Sequence, residues 1–256
     1  MHPKIAIIIT SFERPDLLRK SVESVLENWC ENFVILVGDQ SKEDNELMKR
    51  WKIELPSQLS YVKLPFNCGL SYARNILVTQ ASLLGAEYCI ISADSICFNS
   101  SMKRVNEILP VFTEHPYLGR IGFKLQGRIN WEGWLTLNEG ESFELELINT
   151  KSVGIHLFEC NCIKNYFIAR TESLLDVKWD DNLKMCEHED FQYRYAKCWD
   201  TLYTDFYTGT YIGKREGDFA TYRQENWING MKYLLNKYSI RQWITYKNPE
   251  LFDRSV

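Results

Sequence analysis

Two acidic stretches of the sequence carry side chains that could do chemistry. CIISADSICF, residues 89–98, ends a run of strand-forming residues at a single carboxylate, Asp94. EHED, residues 187–190, brings three carboxylates together at what the pattern indicates is a helix start. A carboxylate at a strand end can hold a divalent cation that is bound to phosphate, and a carboxylate at a helix start can accept a proton.

Polar side chains also follow the other predicted strands. Glu13, Asp39, Asn67 and Asp94 each lie at or just past a strand end. Right-handed crossovers bring the carboxyl ends of parallel strands to one edge of the sheet, where ligands bind in open α/β folds. We therefore expect these four groups to converge on one crevice, although any one of them alone could be an ordinary solvated loop residue.

The first hundred residues alternate between strands and helices. Continuous β-branched and apolar runs predict strands buried on both faces, and the stretches between them repeat apolar residues at helical spacing. This alternation predicts an α/β fold with a central, mostly parallel, doubly wound sheet flanked by helices. The predicted strands are 4–10, 33–39, 61–65 and 87–92, and the predicted helices run from Pro15 to about Trp29, near 42–52, and from about Leu70 to Leu84.

The pattern changes in the second half. After a helix near residues 102–109, the segments indicate antiparallel strands and a hairpin, with a turn signal at NEG. We expect a mixed α+β half that is appended to the parallel half. The segments are GRIGFKL (119–125), NEG (138–140), FELEL (143–147) and NYFIAR (165–170).

Composition excludes some classes of function. The chain has 256 residues and a formal net charge of −4, which gives no basic footprint for nucleic-acid binding. It has no apolar run long enough to span a bilayer, and Met1 is followed almost directly by an apolar strand rather than by a signal peptide. The sequence therefore predicts a cytoplasmic protein.

The eight cysteines have two interpretations. Most of them lie inside apolar runs, as reduced core thiols do in a cytosolic protein. The alternative is a structural zinc site, because Cys160, Cys162, Cys186 and His188 together offer four suitable ligands, although at tighter spacing than is usual.

The C-terminal tail from about Gly217 is predicted to be an amphipathic helix. Between Tyr222 and Lys247 it has five basic residues and one acidic residue. A basic amphipathic helix can make peripheral contact with an anionic membrane, or it can pack its apolar stripe on its own domain. The stripe consists of Trp227, Met231, Leu234, Leu235 and Tyr238.

Five segments match the pattern of one known family. They are IAIIITSFERPDLLRKSVESV (5–25), FVILVGDQS (33–41), NCGLSYARN (67–75), SAD (92–94) and KWDDNLKMCEHEDFQYR (178–194). In this order they resemble GT-A-fold, family-2-like nucleotide-sugar glycosyltransferases, over about residues 4–200. The family usually has D-x-D where this chain has SAD.

The resemblance implies a donor site at the carboxyl edge of the sheet. Asp39 matches the acid that contacts the nucleotide base, and Arg74 lies beside the expected diphosphate, where a guanidinium can bind phosphate oxygens. A surface or helix-capping arginine is the alternative for Arg74. The implied donor-binding residues are Thr10, Glu13, Arg14, Asp39, Asn67, Arg74, Ser92, Ala93 and Asp94.

The resemblance also implies a divalent metal. Asp94 matches the metal-ligating aspartate, and a single carboxylate can suffice for Mg²⁺ or Mn²⁺ that is also bound to substrate phosphates. Ser92 replaces the second carboxylate, and the late histidine ligand is missing near Lys214 and Arg215. We expect a weakly held Mn²⁺ or Mg²⁺, and the alternative is that cationic side chains neutralise the diphosphate.

Catalysis is implied for the second acidic stretch. Asp190 matches the family's catalytic base, and Glu189 would bind sugar hydroxyls, although an acidic helix start can also serve for capping alone. Trp131, Trp134 and Trp179 could stack on acceptor sugars, or they could fill cores.

The sequence thus predicts a single GT-A-type domain with three parts: a nucleotide-sugar-binding half (1–98), an acceptor-binding and catalytic half (99–215) and a C-terminal helical tail (216–256). The implied activity is inverting transfer of a sugar, from a donor that is UDP-linked, to a hydroxyl of a glycan or other acceptor. The alternatives are a sugar nucleotidyltransferase and a non-catalytic nucleotide- or sugar-binding protein. TSFERPD is not the Gly-rich basic loop that a nucleotidyltransferase would have.

Overall fold

The fold is taken from a computed structural model. It describes residues 4–29, 32–128, 131–147, 157–213 and 217–247. The predicted α/β class is confirmed: a large mixed sheet is flanked by helices on both faces.

The N-terminal half forms the parallel part of the sheet. Its strands are β1 (Ile5–Ser11), β2 (Phe33–Asp39), β3 (Leu59–Lys63) and β4 (Tyr88–Ala93), in the order β3-β2-β1-β4. The helices between them are α1 (Pro15–Asn28), α2 (Glu46–Glu54) and α3 (Leu70–Leu83). These bounds agree closely with the predicted elements.

Strand β1 shows why the apolar runs form a central sheet. All seven of its residues are buried. Since side chains alternate between the two faces of a strand, Ile7 packs in the core that includes Val22 of α1, while Ile8 packs in the core that includes Leu77 of α3. Two apolar layers therefore cover the sheet, one on each face.

The second half extends this same sheet. Its strands are β5 (Ile96–Phe98), β6 (Leu118–Gln126), β7 (Gly133–Asn138), β8 (Ser142–Leu147), β9 (Leu157–Cys160), β10 (Phe167–Arg170), β11 (Asp200–Tyr211) and β12 (Ile244–Tyr246). The main sheet continues as β4-β10-β6-β11-β5, with β9 on β11, and β12, β8 and β7 form a small second sheet.

One expectation for this half is confirmed and another is wrong. Strands β7 and β8 form the predicted antiparallel hairpin around Gly140. Strand β6, predicted from 119–125, belongs to no hairpin: it lies inside the main sheet, antiparallel to β10 and parallel to β11. The physical reason is that its first six residues are all buried, as in a central strand covered on both faces.

The remaining helices lie mostly in the second half. They are a 3₁₀ helix (Ser100–Ile108), α4 (Leu109–Glu114), α5 (Thr171–Val177), α6 (Glu187–Tyr195) and α7 (Gly217–Tyr238). Helix α6 begins at the predicted acidic stretch. The helix predicted near 102–109 is a 3₁₀ helix that continues into α4.

The tail helix α7 packs on its own domain. Leu234 is fully buried in a cluster with Leu183 and Cys186, and Trp227 packs edge-on against Trp243. No helix in the described ranges is both long and apolar enough to cross a membrane. Contact of the tail with a membrane surface stays a prediction.

The described cysteines are free thiols. Burial raises the pKa of Cys89 and of Cys160 to about 12, so neither is reactive at neutral pH. In the part of the chain that the structure describes, no three Cys, His, Asp or Glu side chains come together as metal ligands, and the zinc alternative therefore has no support there.

The packing of α7 gives a stability prediction. Leu234→Ala should lower the free energy of unfolding by about 2–5 kcal/mol, because it leaves a cavity in a closed cluster. Leu83→Ala is the matched control, because Leu83 is 82% exposed and its loss should cost less than about 0.5 kcal/mol. Urea unfolding measures both values. Equal losses for the two variants would contradict the packing of α7 on the domain.

Candidate functional site

A cavity of about 560 Å³ opens at the carboxyl edge of the parallel strands. Its walls are the loops after β1, β2 and β4, the start of α3, the first turn of α6, and one face of α7. Sheet pairing sets the first wall, because Thr10 lies opposite Ala93 and Ser11 lies opposite Asp39. The volume is within the usual range for a small-molecule site, roughly 300–1,000 Å³.

The structure brings half of the expected site residues to the lining of this cavity. Those that line it are Thr10, Arg14, Asn67, Arg74, Ala93, Trp131 and Glu189. The others expected there lie behind its wall or elsewhere, and they are Glu13, Asp39, Ser92, Asp94, Trp134, Trp179 and Asp190.

Asp94 is fully buried beneath the first loop. Ser11 Oγ donates to its Oδ2 at 3.0 Å, and Arg14 donates to Oδ2 through Nε at 3.1 Å and to Oδ1 through Nη2. Burial raises the pKa of Asp94, and the Arg14 guanidinium and the Ser11 hydroxyl oppose this rise without cancelling it. The guanidinium of Arg14 also lies over the ring of Phe219, 3.9 Å from its centroid.

Asp39 also lies behind the cavity wall. Its carboxylate accepts hydrogen bonds from Tyr61 Oη and from the backbone N–H of Ser41, both at 2.9 Å. The next residue, Gln40, lines the cavity, and its Oε1 accepts from the Gly69 N–H at 2.7 Å. The strand end is thereby tied to the start of α3.

The loops around Glu13 and Asn67 have left-handed backbone at these two residues, with φ of 55° and 50°. Glu13 Oε1 accepts from the Lys42 N–H, which joins the first loop to the loop after β2. Asn67 Oδ1 accepts from Asn226 Nδ2 at 2.7 Å, which joins the cavity wall to α7. Left-handed backbone conformations like those of Glu13 and Asn67 are costly for residues other than glycine, and they are found preferentially at functional sites.

A buried ion pair joins α3 to α6 in the cavity wall. Arg74 Nη1 donates to Glu187 Oε1 at 2.6 Å, and Asn165 Nδ2 donates to the same oxygen at 2.9 Å. Burial raises the pKa of Glu187, but the Arg74 guanidinium, His188 and a backbone hydrogen bond together outweigh it, and the pKa lies below its usual value. Glu187 is therefore ionised and is committed to Arg74.

His188 is neutral and faces the cavity. Burial lowers its pKa to about 4, and the nearby arginines Arg74, Arg223 and Arg128 act in the same direction. Its Nε2 is 3.1 Å from Asn165 Nδ2, which can only donate, so the proton of the neutral ring is on Nδ1. Nδ1–H can therefore donate a hydrogen bond to a ligand oxygen.

Glu189 is a buried carboxyl group that lines the same cavity. It is only 1% exposed, and neither of its oxygens has a hydrogen bond of normal geometry among the described residues, although the Trp243 side chain lies close enough to oppose the rise of its pKa. Burial raises its pKa to about 8, and the negative charge of Glu187 adds to the rise. Such a group can exchange a proton close to neutral pH.

Asp190 does not have the position expected of a catalytic base. It points away from the cavity and is fully buried. Its Oδ2 accepts from Arg194 Nε and Nη2 at 2.9 and 2.7 Å, and its Oδ1 accepts from Lys237 Nζ and from Tyr238 Oη. Both oxygens are committed to these cations and to the phenol, so Asp190 joins α6 to α7.

Only one of the three expected acceptor tryptophans lines the cavity. Trp131 does so, with its ring edge-on to His188. Trp134 is 43% exposed and lines a separate cavity of about 350 Å³. Trp179 stacks on Phe191 at 4.2 Å and is 3% exposed, so it is a core residue.

The residues expected to hold a metal do not suit a divalent cation. Both oxygens of Asp94 are already hydrogen-bonded, and the buried hydroxyl of Ser92 stands in place of a second carboxylate. Nowhere in the described ranges do three potential ligand side chains converge. Lys214 and Arg215, which stand near the expected histidine position, lie outside the described residues.

Sequence reasoning missed several residues of this site. Arg128 follows β6 and holds its guanidinium over the ring of Tyr211 at 3.9 Å. Lys164, Lys184 and Arg223 also line the cavity. The signal for Arg223 was the excess of basic residues in the tail, but the fold was needed to bring it to this cavity, where its guanidinium contacts the sulfur of Met185.

Unpaired polar atoms mark the cavity as a site for a polar ligand. Thirteen buried side-chain atoms in the described part of the chain have no hydrogen-bond partner, and eight of them belong to residues that line this cavity. Unpaired buried polar atoms are costly unless a ligand or water satisfies them. The eight atoms belong to Thr10, Arg74, Asn165, Glu187, His188, Glu189 and Trp243.

Comparison with known proteins confirms the resemblance to family-2-like glycosyltransferases of the GT-A fold. Residues 6–122 match the model of the family "Glycosyl transferase family 2". No curated protein matches the chain in sequence.

Three solved structures illustrate the fold. TarS of S. aureus has a TM-score of 0.58 at 14% identity, over 91% of this chain and 40% of TarS. GalNAc-T7 with UDP, GalNAc and Mn²⁺ has a TM-score of 0.66 at 12% identity, over 83% of this chain and 44% of GalNAc-T7. The mannosyltransferase PcManGT from Pyrobaculum calidifontis, in complex with GDP-Man and Mn²⁺, has a TM-score of 0.61 at 12% identity, over 92% and 65%. This chain thus spans less than half the length of the first two.

The environment of Asp190 gives a second prediction. Asp190→Asn should lower the free energy of unfolding by about 3 kcal/mol, because it leaves Arg194 and Lys237 without their buried carboxylate. Glu189→Gln is the matched control on the same turn. The pKa of Glu189 is raised to about 8 in the folded chain, so the folded state of the parent loses stability as pH rises from the unfolded-state pKa toward 8. Glutamine does not titrate, so Glu189→Gln should be at least as stable as the parent at neutral pH.

Urea unfolding at neutral pH measures both variants. If Asp190→Asn unfolds within about 0.5 kcal/mol of the parent, the structural role assigned to Asp190 is wrong.

Proposed function

We propose that this chain, whose first half matches the Glycosyl transferase family 2 model, is an inverting glycosyltransferase. It would move a sugar from a nucleotide-sugar donor, UDP-linked in our proposal, to a hydroxyl of a glycan or other acceptor. One observation carries the proposal. A cavity at the nucleotide-binding edge of the sheet has a cation-rich wall and, in the same lining, a buried carboxyl group whose pKa is about 8.

The donor would lie along the carboxyl edge of β1, β2 and β4. Thr10 has a buried hydroxyl without a partner there, and it is suited to a nucleoside oxygen. Asp39 remains the proposed contact to the base, by resemblance, together with the loop that it fixes through Ser41. The diphosphate would reach the cationic wall, where guanidinium groups give paired, charge-assisted bonds to phosphate oxygens.

The acceptor would enter on the α6 side. Trp131 offers an aromatic face and edge that could pack against a sugar ring, and the Nδ1–H of His188 offers a donor to a sugar oxygen. Trp131, His188 and Glu189 line the same cavity, so we expect an acceptor hydroxyl held there to lie near the Glu189 carboxylate.

The transfer is a single displacement. The acceptor oxygen forms a bond to the anomeric carbon while its proton passes to Glu189. The bond from the anomeric carbon to the phosphate oxygen breaks, and its electron pair leaves with the nucleoside diphosphate. The configuration inverts because the attack comes from the face opposite the leaving group. Glu189 replaces Asp190 as the proposed base, since Asp190 points away from the cavity.

The proposed base makes turnover depend on pH. Glu189 accepts a proton only when it is deprotonated, and with a pKa of about 8 the deprotonated fraction grows as pH rises through this value. We expect kcat/KM to rise about tenfold per pH unit below about pH 8 and to level off above it. This pH dependence of kcat/KM is measured by the release of nucleotide from a panel of UDP- and GDP-sugars, with water or glycans as acceptors.

Two variants sharpen this test. Glu189→Gln should lower kcat at least 10²-fold, on the order expected for loss of a general base. Glu114→Gln changes an exposed glutamate outside the cavity lining and should leave the rate unchanged. A pH-independent rate, or full turnover by Glu189→Gln, would reject Glu189 as the base. If no donor is cleaved at any pH, the protein is the non-catalytic nucleotide-binding alternative.

A further inference from the structure

We propose that the donor diphosphate is bound and neutralised by arginine and lysine side chains, without a divalent metal. This inference rests on the proposed function, because it concerns the leaving group of the proposed reaction. It contrasts with two of the similar structures, whose complexes contain Mn²⁺.

Asp94 is the one carboxylate at the expected metal position, and its neighbours already satisfy it. The planar fork of Arg14 donates to both of its oxygens, and Ser11 adds a third hydrogen bond. A metal would have to displace this fork and then coordinate a group that lies behind the cavity wall. Breaking such a buried pair leaves Arg14 without its carboxylate, so metal binding would carry that cost.

The position where the family has a second carboxylate is occupied by Ser92. Ser92 contributes a neutral hydroxyl, and its Oγ is fully buried. Within the described ranges, no set of three His, Cys, Asp or Glu side chains could complete a metal site. Octahedral cations such as Mg²⁺ bind through carboxylates, phosphates and water, and Asp94, already held by Arg14, is the one carboxylate at the expected metal position.

The cavity instead supplies positive charge from arginine and lysine. Six basic side chains line it. Arg14 lies in an ion pair with Asp94, Arg74 with Glu187 and Lys164 with Glu132, and Arg223 also has interactions with its neighbours, the sulfur of Met185 among them. Three of the six come from three separate parts of the chain. They are Arg128 after β6, Lys184 before α6, and Arg223 on α7.

The arginines of this wall lie close enough to His188 to affect its pKa. Burial is the main cause of the lowered pKa, Glu187 opposes it, and Arg74, Arg223 and Arg128 each lower the pKa further. Three guanidinium groups and one carboxylate therefore act at this point of the cavity. A dianionic diphosphate placed there would be neutralised by the guanidinium groups in place of a metal ion. Guanidinium groups can also bind phosphate oxygens in bidentate geometry.

Nucleotide binding tests this directly. Titration calorimetry of the full chain with UDP and with GDP, in EDTA and then in Mn²⁺, should give dissociation constants that agree within about threefold. Arg128→Ala and Arg223→Ala should each weaken binding of the nucleoside diphosphate in EDTA about tenfold, which corresponds to about 1.4 kcal/mol. Binding of uridine or guanosine, which lack phosphate, should change much less in the same variants.

Arg50→Ala is the matched arginine control. Arg50 lies on α2, its side chain is 64% exposed, and it pairs with Glu54, so its loss should not affect binding. Nucleotide binding that tightens 100-fold or more in Mn²⁺ would overturn the inference. So would Arg128→Ala and Arg223→Ala variants that bind UDP and GDP as well as the Arg50→Ala control.

The ion pair at Asp94 offers a second, independent readout. Electron paramagnetic resonance of added Mn²⁺, with UDP present, should detect no tight Mn²⁺ site in the parent chain. Arg14→Gln, which frees the carboxylate of Asp94, should bind Mn²⁺ at least tenfold more tightly than the parent. Tight Mn²⁺ in the parent that is lost in Asp94→Asn would overturn the inference. If diphosphates bind in EDTA but no sugar is transferred, the inference stands and the proposed function fails.

Discussion

The site depends on one buried ion pair, between Arg74 of α3 and Glu187 of α6. The two residues are 113 positions apart in the chain, and their side chains are 3% and 1% exposed. Two charges so deeply buried are tolerated only while they are paired and hydrogen-bonded. Helix α6 therefore cannot move from α3 without leaving a charge unpaired, and this fixes its first turn at the cavity on the carboxyl edge of the parallel strands.

Helix geometry then gives four consecutive residues at the start of α6 different roles. Successive side chains point about 100° apart, so Glu187, His188, Glu189 and Asp190 face different surroundings. Glu187 faces a guanidinium, and its pKa is lowered; Glu189 is equally buried but faces no such partner, and its pKa is raised to about 8. Environment rather than residue type thus distinguishes a structural carboxylate from a candidate base.

The N-terminal strands and helices could be predicted because their signals are local. The run from Ile5 to Thr10 is apolar over its whole length, and a strand covered on both faces needs nothing else to identify it. The position of β6 could not be predicted in this way, because its partners, β10 and β11, follow it by some 40 residues or more. The residues of a strand do not by themselves indicate which distant strands it will pair with.

Strand ends determined the position of some of the site residues, while Arg74 and Glu189, which lie on helices, were expected from the resemblance alone. Thr10 and Ala93 follow from sheet register, and the structure brings them to the cavity. The choice between Glu189 and Asp190 depends on helix rotation and on Lys237, which comes from α7, so the sequence pattern could not decide it. The tryptophans were ambiguous for a similar reason, since stacking on Phe191 and stacking on a sugar require the same residue type.

A crystal structure of the chain with bound UDP, grown with Mn²⁺ in the solution, tests the central claim most directly. The account predicts that the diphosphate lies within hydrogen-bonding distance of the guanidinium groups of Arg128 and Arg223. It also predicts that Arg14 still holds Asp94, and that the space where the sugar would lie opens toward Glu189. A diphosphate bound outside this cavity, or one bridged to Asp94 by Mn²⁺ with Arg14 displaced, would contradict it.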